Sequence, residues 1–156
     1  MRKFFQIIGV VTVALAASVA VAVAFVAYRG QALNREGRTY VDKAVPAITA
    51  RWSEKQLLDR ASPGLRRTLS QARLAAVFQR FAQLGPLVHY EGADRQSLMS
   101  TGFGSGRTVA AAYVAKAVYA NGRATIRLAV VERHGRWMIS GFHVDYALNA
   151  TPDIGI

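Results

Sequence analysis

The spacing of apolar and polar positions along this chain changes character twice, and the changes divide it into three regimes. The first regime has no period. From Phe4 to Tyr28 there is no charged residue, and the apolar run is relieved only by Gln6, Gly9, Thr12 and Ser18. At 1.5 Å per residue, about twenty such residues cover roughly 30 Å, the hydrocarbon thickness of a bilayer. The pattern predicts a membrane-spanning helix bounded by Arg2 and Lys3 on one side and Arg29 on the other. It assigns 1–29 as an anchor, 30–148 as a folded domain and 149–156 as a tail. A cleaved signal sequence is the alternative, with Ala22-Val23-Ala24 as its cleavage site, but the apolar core of a signal peptide, about 7–15 residues, is shorter than this run.

The second regime has a helical period. Tyr40, Val41, Ala44, Val45 and Ile48 predict a helix over 34–50, with a kink or break near Val45 because Pro46 lacks a backbone donor. Ser53 and Glu54 open a short amphipathic helix through Leu57, Leu58 and Ala61, which Ser62-Pro63-Gly64 is expected to end. Trp52 is read as a packing residue where that helix begins. The strongest helix comes next: Ser70 as cap, an apolar face of Ala72, Leu74, Ala75, Val77, Phe78, Phe81, Ala82 and Leu84, and Gly85-Pro86 as its stop.

After Pro86 the period becomes two, the spacing of half-buried strands. Leu87–Glu91 and Arg95–Ser100 are expected as separate strands, followed by a glycine-rich loop at Gly102–Gly106. No phosphate-cradling role is assigned to that loop, because no helix bearing Lys-Ser or Lys-Thr follows it. Residues 107–120 predict a long strand, with Val109, Tyr113 and Tyr119 on one parity. Asn121-Gly122 predicts a tight hairpin turn through positive φ, and the return strand alternates cleanly, with Ala124, Ile126, Leu128 and Val130 on one face. His134-Gly135 makes a second turn into a last strand over 136–146. There the apolar side switches between Ile139 and Phe142, so a β-bulge at Gly141 is predicted. The fold class is α+β: an N-terminal transmembrane helix, then two or three helices packed on a curved antiparallel sheet of about four strands.

Charge and composition narrow the surroundings. The formal net charge is +11, and without Arg2 and Lys3 about +9 remains on the rest of the chain. Beside a membrane the polyanions at hand are lipid headgroups and envelope polymers, and no nucleic-acid role is assigned. There is no cysteine, so no disulfide supports the domain and no lipid is attached through one. Positive charges on the two sides of the apolar run do not decide orientation. Handling like a signal sequence predicts a single-pass protein of the inner membrane with its domain in the periplasm.

Phe81-Ala82-Gln83-Leu84-Gly85, the Tyr113-to-Tyr119 strand, Asn121-Gly122 and above all Gly135-Arg136-Trp137-Met138-Ile139-Ser140-Gly141-Phe142-His143-Val144 resemble small bacterial envelope proteins of the nuclear-transport-factor-2-like or cystatin-like superfamily. The resemblance covers roughly Thr39 to Tyr146. It implies a curved sheet wrapped on helices into a cone, a scaffold that hosts enzymes, assembly modules and proteins without a ligand.

Enzymes of that superfamily, such as ketosteroid isomerase and scytalone dehydratase, place Asp, His or Tyr inside the cone. The residues of those types here are His89, Asp94, Tyr113, Tyr119, His143 and Asp145. His143 and Asp145 are spaced as a His-carboxylate pair, but the bulge parity directs both to solvent. His89, His134 and His143 are too dispersed for zinc, and Glu54 and Asp59 do not face each other on their helix. No catalytic, cofactor or metal residue is assigned. Trp137 is expected to be buried and to hold the sheet.

These features are compatible with two functions. The first is a non-catalytic, membrane-anchored module for protein-protein interaction or envelope assembly. Its contacts would be the bilayer through Phe4–Tyr28, anionic lipid or an acidic protein through Arg51, Lys55, Arg60, Arg66, Arg67, Arg73 and Arg80, and a second copy through the free sheet face. The alternative is a small-molecule binder or isomerase-like enzyme using the cone pocket.

Overall fold

The computed structural model describes residues 31–102 and 106–149. The apolar run Phe4–Tyr28, residues 103–105 of the glycine-rich loop and most of the tail lie outside the described residues. Among the described residues no helix is long and apolar enough to cross a membrane. The chain divides into a unit Met1–Glu36 and a compact unit Gly37–Ile156, and the second unit carries the sheet and the helices packed on it.

Helix α1 covers 31–49, and from Gly37 onward it belongs to the compact unit. Val41, Ala44, Val45 and Ile48 recur at helical spacing and are all buried. Of the kink or break expected near Val45, the break is absent: the helix is continuous through Pro46, and the Pro46 carbonyl accepts from the Ala50 amide at 2.9 Å. Proline removes one intrahelical bond, and the buried residues on either side hold the turn in place.

Three short helices come next. In α2 (Glu54–Arg60) the Ser53 hydroxyl accepts from the Gln56 amide at 3.4 Å. Ser62-Pro63-Gly64 does not end the helical region, contrary to expectation, but starts α3 (Pro63–Thr68). Ser62 caps it by accepting from the Leu65 amide at 3.2 Å, and Pro63 occupies the first turn, where its missing donor costs nothing. Helix α4 (Gln71–Phe81) continues into a 3-10 turn at Ala82–Leu84 and stops at Gly85. Ser70 sits at its N-terminus without making a side-chain cap bond. Its buried stripe is narrower than the sequence pattern, namely Leu74, Phe78, Phe81 and Leu84, with Val77 exposed.

The four strands β1 (Leu87–Thr101), β2 (Thr108–Tyr119), β3 (Gly122–Arg133) and β4 (Arg136–Leu148) form one antiparallel sheet in sequence order. The two strands expected before residue 101 are one. Register shifts at three places, one between Tyr90 and Gly92, absorb the irregularity that the sequence shows as a break. Gly92 takes φ 97°, a conformation glycine reaches without strain.

The β2–β3 hairpin stands where expected, but its turn is Ala120-Asn121, and neither Asn121 nor Gly122 has positive φ. The turn is tied instead to the segment after α4. The Ala120 and Asn121 amides donate to the Pro86 and Leu84 carbonyls at 3.1 and 2.9 Å, and Asn121 Nδ2 donates to the Gln83 carbonyl at 3.0 Å. Gly122 is required for space, since a Cβ there would lie 2.2 Å from the Ala147 carbonyl oxygen.

The bulge in β4 is present. Val130 pairs with Ile139 and Ala129 with Gly141, which leaves Ser140 as the extra residue. Ile139 and Val144 consequently both reach the core, although their parities differ. Beside the bulge, Ala61 bridges Ile139 and the Ser62 amide donates to the Ile139 carbonyl at 2.7 Å, docking the α2–α3 junction on the edge of β4.

The inner sheet face, with Ala111, Tyr113, Ala115, Ala117, Tyr119, Ile126, Leu128 and Val130, packs in one cluster with α1 and the aromatic residues. Trp52 centres that cluster at 4.8 Å from Phe81 and 5.5 Å from Tyr119, ring centre to ring centre. Trp137 is only half-buried and packs at the margin of the core, because it lies on β4 before the bulge, where the sheet edge meets α2 and α3.

Candidate functional site

The residues that the sequence offers for acid-base work are not brought together. Tyr113 and Tyr119 point inward and are buried, and neither hydroxyl has a hydrogen-bond partner among the described residues. Burial pushes both phenols above their ordinary pKa. Thr49 stands near enough to oppose the shift at Tyr119 but outside hydrogen-bonding geometry. The Tyr113 hydroxyl is packed against α1, where a Cβ on Gly37 would meet it at 2.5 Å. At these two tyrosines the inner sheet face is packed in the core cluster with α1. His89 and Asp94 are exposed on β1, and His134 sits in the β3–β4 turn.

His143 and Asp145 do meet, with Nε2 3.0 Å from Oδ1, on the exposed outer face of β4 as the bulge parity requires. Arg127 from β3 pairs with the same carboxylate. Both members of the pair are at least half exposed. Among the described residues no three His, Cys, Asp or Glu side chains gather as metal ligands would.

One polar network is built into the interior margin. Asp42 of α1 accepts from the Tyr90 hydroxyl at 2.8 Å and from the Ala93 amide at 3.1 Å, and it pairs with Arg38 at 3.6 Å. The Ala93 amide lies just past the register shift between Tyr90 and Gly92, and the carboxylate accepts from it. Burial and the bond to Asp42 push the Tyr90 phenol far up. This network joins helix to sheet.

Among the concavities of the described residues, two are lined by helix and sheet together. An apolar groove of about 370 Å³ lies between α3, α4 and β4, floored by Leu74, Phe78 and Phe142, with Arg73 and His143 among its polar lining. A cavity of about 510 Å³ opens where the α2–α3 junction meets β4, and Arg60, Arg66 and Arg136 line it together with Tyr40 and Trp137. The sequence marks Arg60 and Arg66 as part of a basic face. It gives no sign that Arg136, some seventy residues later, joins them, because only the Ala61–Ile139 bridge brings β4 alongside. Tyr40 reads in sequence as one more apolar helix position.

The comparisons match nothing: no family model, no curated protein and no solved structure resembles the chain significantly.

Proposed function

We propose that the protein is a non-catalytic, membrane-anchored interaction module whose compact unit binds anionic surfaces through its helical half. The observation that carries this reading is the charge of that half. Between Arg51 and Pro86 seven cationic side chains face only Glu54 and Asp59, and Asp59 is paired with Lys55. Arg51, Arg66, Arg67, Arg73 and Arg80 are exposed. Near an anionic bilayer each such side chain contributes about 1 kcal/mol, within a Debye length of about 8 Å at physiological salt. An acidic protein partner would use the same face. The apolar groove beside Arg73 supplies the apolar contact that charge alone lacks.

Placement at a membrane rests on the uncharged run Phe4–Tyr28. Alkaline carbonate extraction of membranes carrying the full-length chain is expected to leave it in the pellet. Full-length protein in the supernatant would contradict the anchor, and with it the reading of the basic half as a membrane-facing surface.

A further inference from the structure

The cavity at the α2–α3 junction differs from the rest of the basic surface in being built. Arg60 Nη1 donates to the Gln56 carbonyl at 2.9 Å, and Arg66 Nη2 donates to the Leu58 carbonyl at 2.7 Å. Backbone carbonyls thus position both guanidinium groups, and each group, with five donors, keeps others free. Arg136 comes from the first residue of β4 and has no carboxylate partner among the described residues. The carboxylate on the lining, Asp59, is held by Lys55 Nζ at 2.5 Å, which keeps its pKa below the ordinary carboxylate range and its charge compensated.

Tyr40 adds a separate observation. Its hydroxyl is inaccessible to solvent and without a hydrogen-bond partner among the described residues, yet Arg60 is close enough to influence its ionisation. Tyr113 and Tyr119 share that state, but of the three only Tyr40 lines the cavity of Arg60, Arg66 and Arg136. Beside guanidinium groups, the acceptor that suits its hydroxyl is an anionic oxygen.

We propose that this cavity binds an organic phosphate. Arg60, Arg66 and Arg136 donate to the phosphate oxygens, the Tyr40 hydroxyl turns to donate to one of them, and Trp137 and Met138 pack against the carbon body. Guanidinium forks match phosphate oxygens in pairs, and three of them exceed what a singly charged carboxylate occupies. The volume of about 510 Å³ falls within the range of small-molecule sites, about 300–1,000 Å³, so the phosphate is carried on a larger group. That group is either a lipid headgroup or a soluble phosphomonoester. Only the first source rests on the membrane-facing function proposed above.

The test is calorimetric titration of the full-length protein in a neutral detergent with inorganic phosphate, glycerol 3-phosphate and a short-chain phosphatidic acid. Saturable one-to-one binding of an organic phosphate is expected, at least tenfold tighter than inorganic phosphate. Arg136→Ala should weaken it at least tenfold, Arg136→Lys less, and Tyr40→Phe several-fold, with melting curves confirming that each variant folds. Arg123→Gln, exposed on β3 and outside both the cavity and the basic helical face, should bind as the parent does. Tighter binding of the short-chain lipid than of glycerol 3-phosphate identifies a headgroup site, and equal or weaker binding identifies a soluble ligand. Absence of saturable binding to all three probes overturns the proposal, as does binding that Arg136→Ala leaves intact or that Arg123→Gln reduces equally. None of these results bears on membrane extraction, so failure of the phosphate site is distinguishable from failure of the anchor.

Discussion

At the scale of single residues, the fold depends on a few side chains whose environments differ in ways that mutations can separate. Trp52 is buried among Phe78, Phe81 and Tyr119, and the chain takes φ 50° to place it there. Trp52→Ala should cost about 3–5 kcal/mol in denaturant unfolding, whereas half-buried Trp137→Ala should cost clearly less. The tyrosines divide similarly. Tyr90→Phe removes a hydrogen bond to a carboxylate and should cost about 1.5–3 kcal/mol, while Tyr113→Phe removes a hydroxyl with no partner and should be neutral or stabilising. Equal losses in the two variants would contradict the bonding described. Burial of Tyr113 and Tyr119 was legible from strand parity alone. The partner of Tyr90 was not, because Asp42 lies 48 residues away on a helix whose exposed positions read simply as polar.

Among the elements, the sequence was informative wherever one residue type has one local use. Alternation placed β3, the parity switch placed the β4 bulge, and a serine cap placed α2. It misled where one residue type has two uses. Ser-Pro-Gly ends helices and also starts them, and here Ser62 caps while Pro63 takes the first turn. Asn-Gly reads as a positive-φ turn, but tertiary hydrogen bonds to Leu84 and Pro86 set this turn, and Gly122 serves close packing. The break expected between Glu91 and Arg95 is a continuous strand, with a register shift between Tyr90 and Gly92. Pro46 is the clearest test at this scale. Because α1 runs through it, Pro46→Ala restores a backbone donor inside an existing helix and should raise stability by about 1 kcal/mol or more in denaturant unfolding. A destabilised Pro46→Ala protein would show that the helix needs the proline's constraint.

For the whole molecule, the phenols of Tyr40, Tyr90, Tyr113 and Tyr119 all sit above their ordinary value of 10.0, burial being the largest cause in each. The folded protein therefore holds these protons more tightly than the unfolded chain. Their contribution to stability is complete below about pH 10 and is lost as the pH rises from there toward the folded values. Unfolding followed by tyrosinate absorbance should thus begin above pH 10 and be cooperative, and a gradual titration of all four phenols without unfolding would contradict their burial. The basic cavity is the part of the molecule least legible in sequence, since it depends on Arg136 arriving beside α2 through a single bridge between Ala61 and Ile139.

Whether an anchored module meets anionic surfaces with its helices is tested most directly by hydrogen exchange. Full-length protein would be placed in nanodiscs of neutral and of anionic lipid, at physiological salt. Slower exchange across α2, α3 and α4 is expected in the anionic discs, with unchanged exchange in the central strands β2 and β3. Identical exchange of the helices in both lipids would contradict the proposed surface.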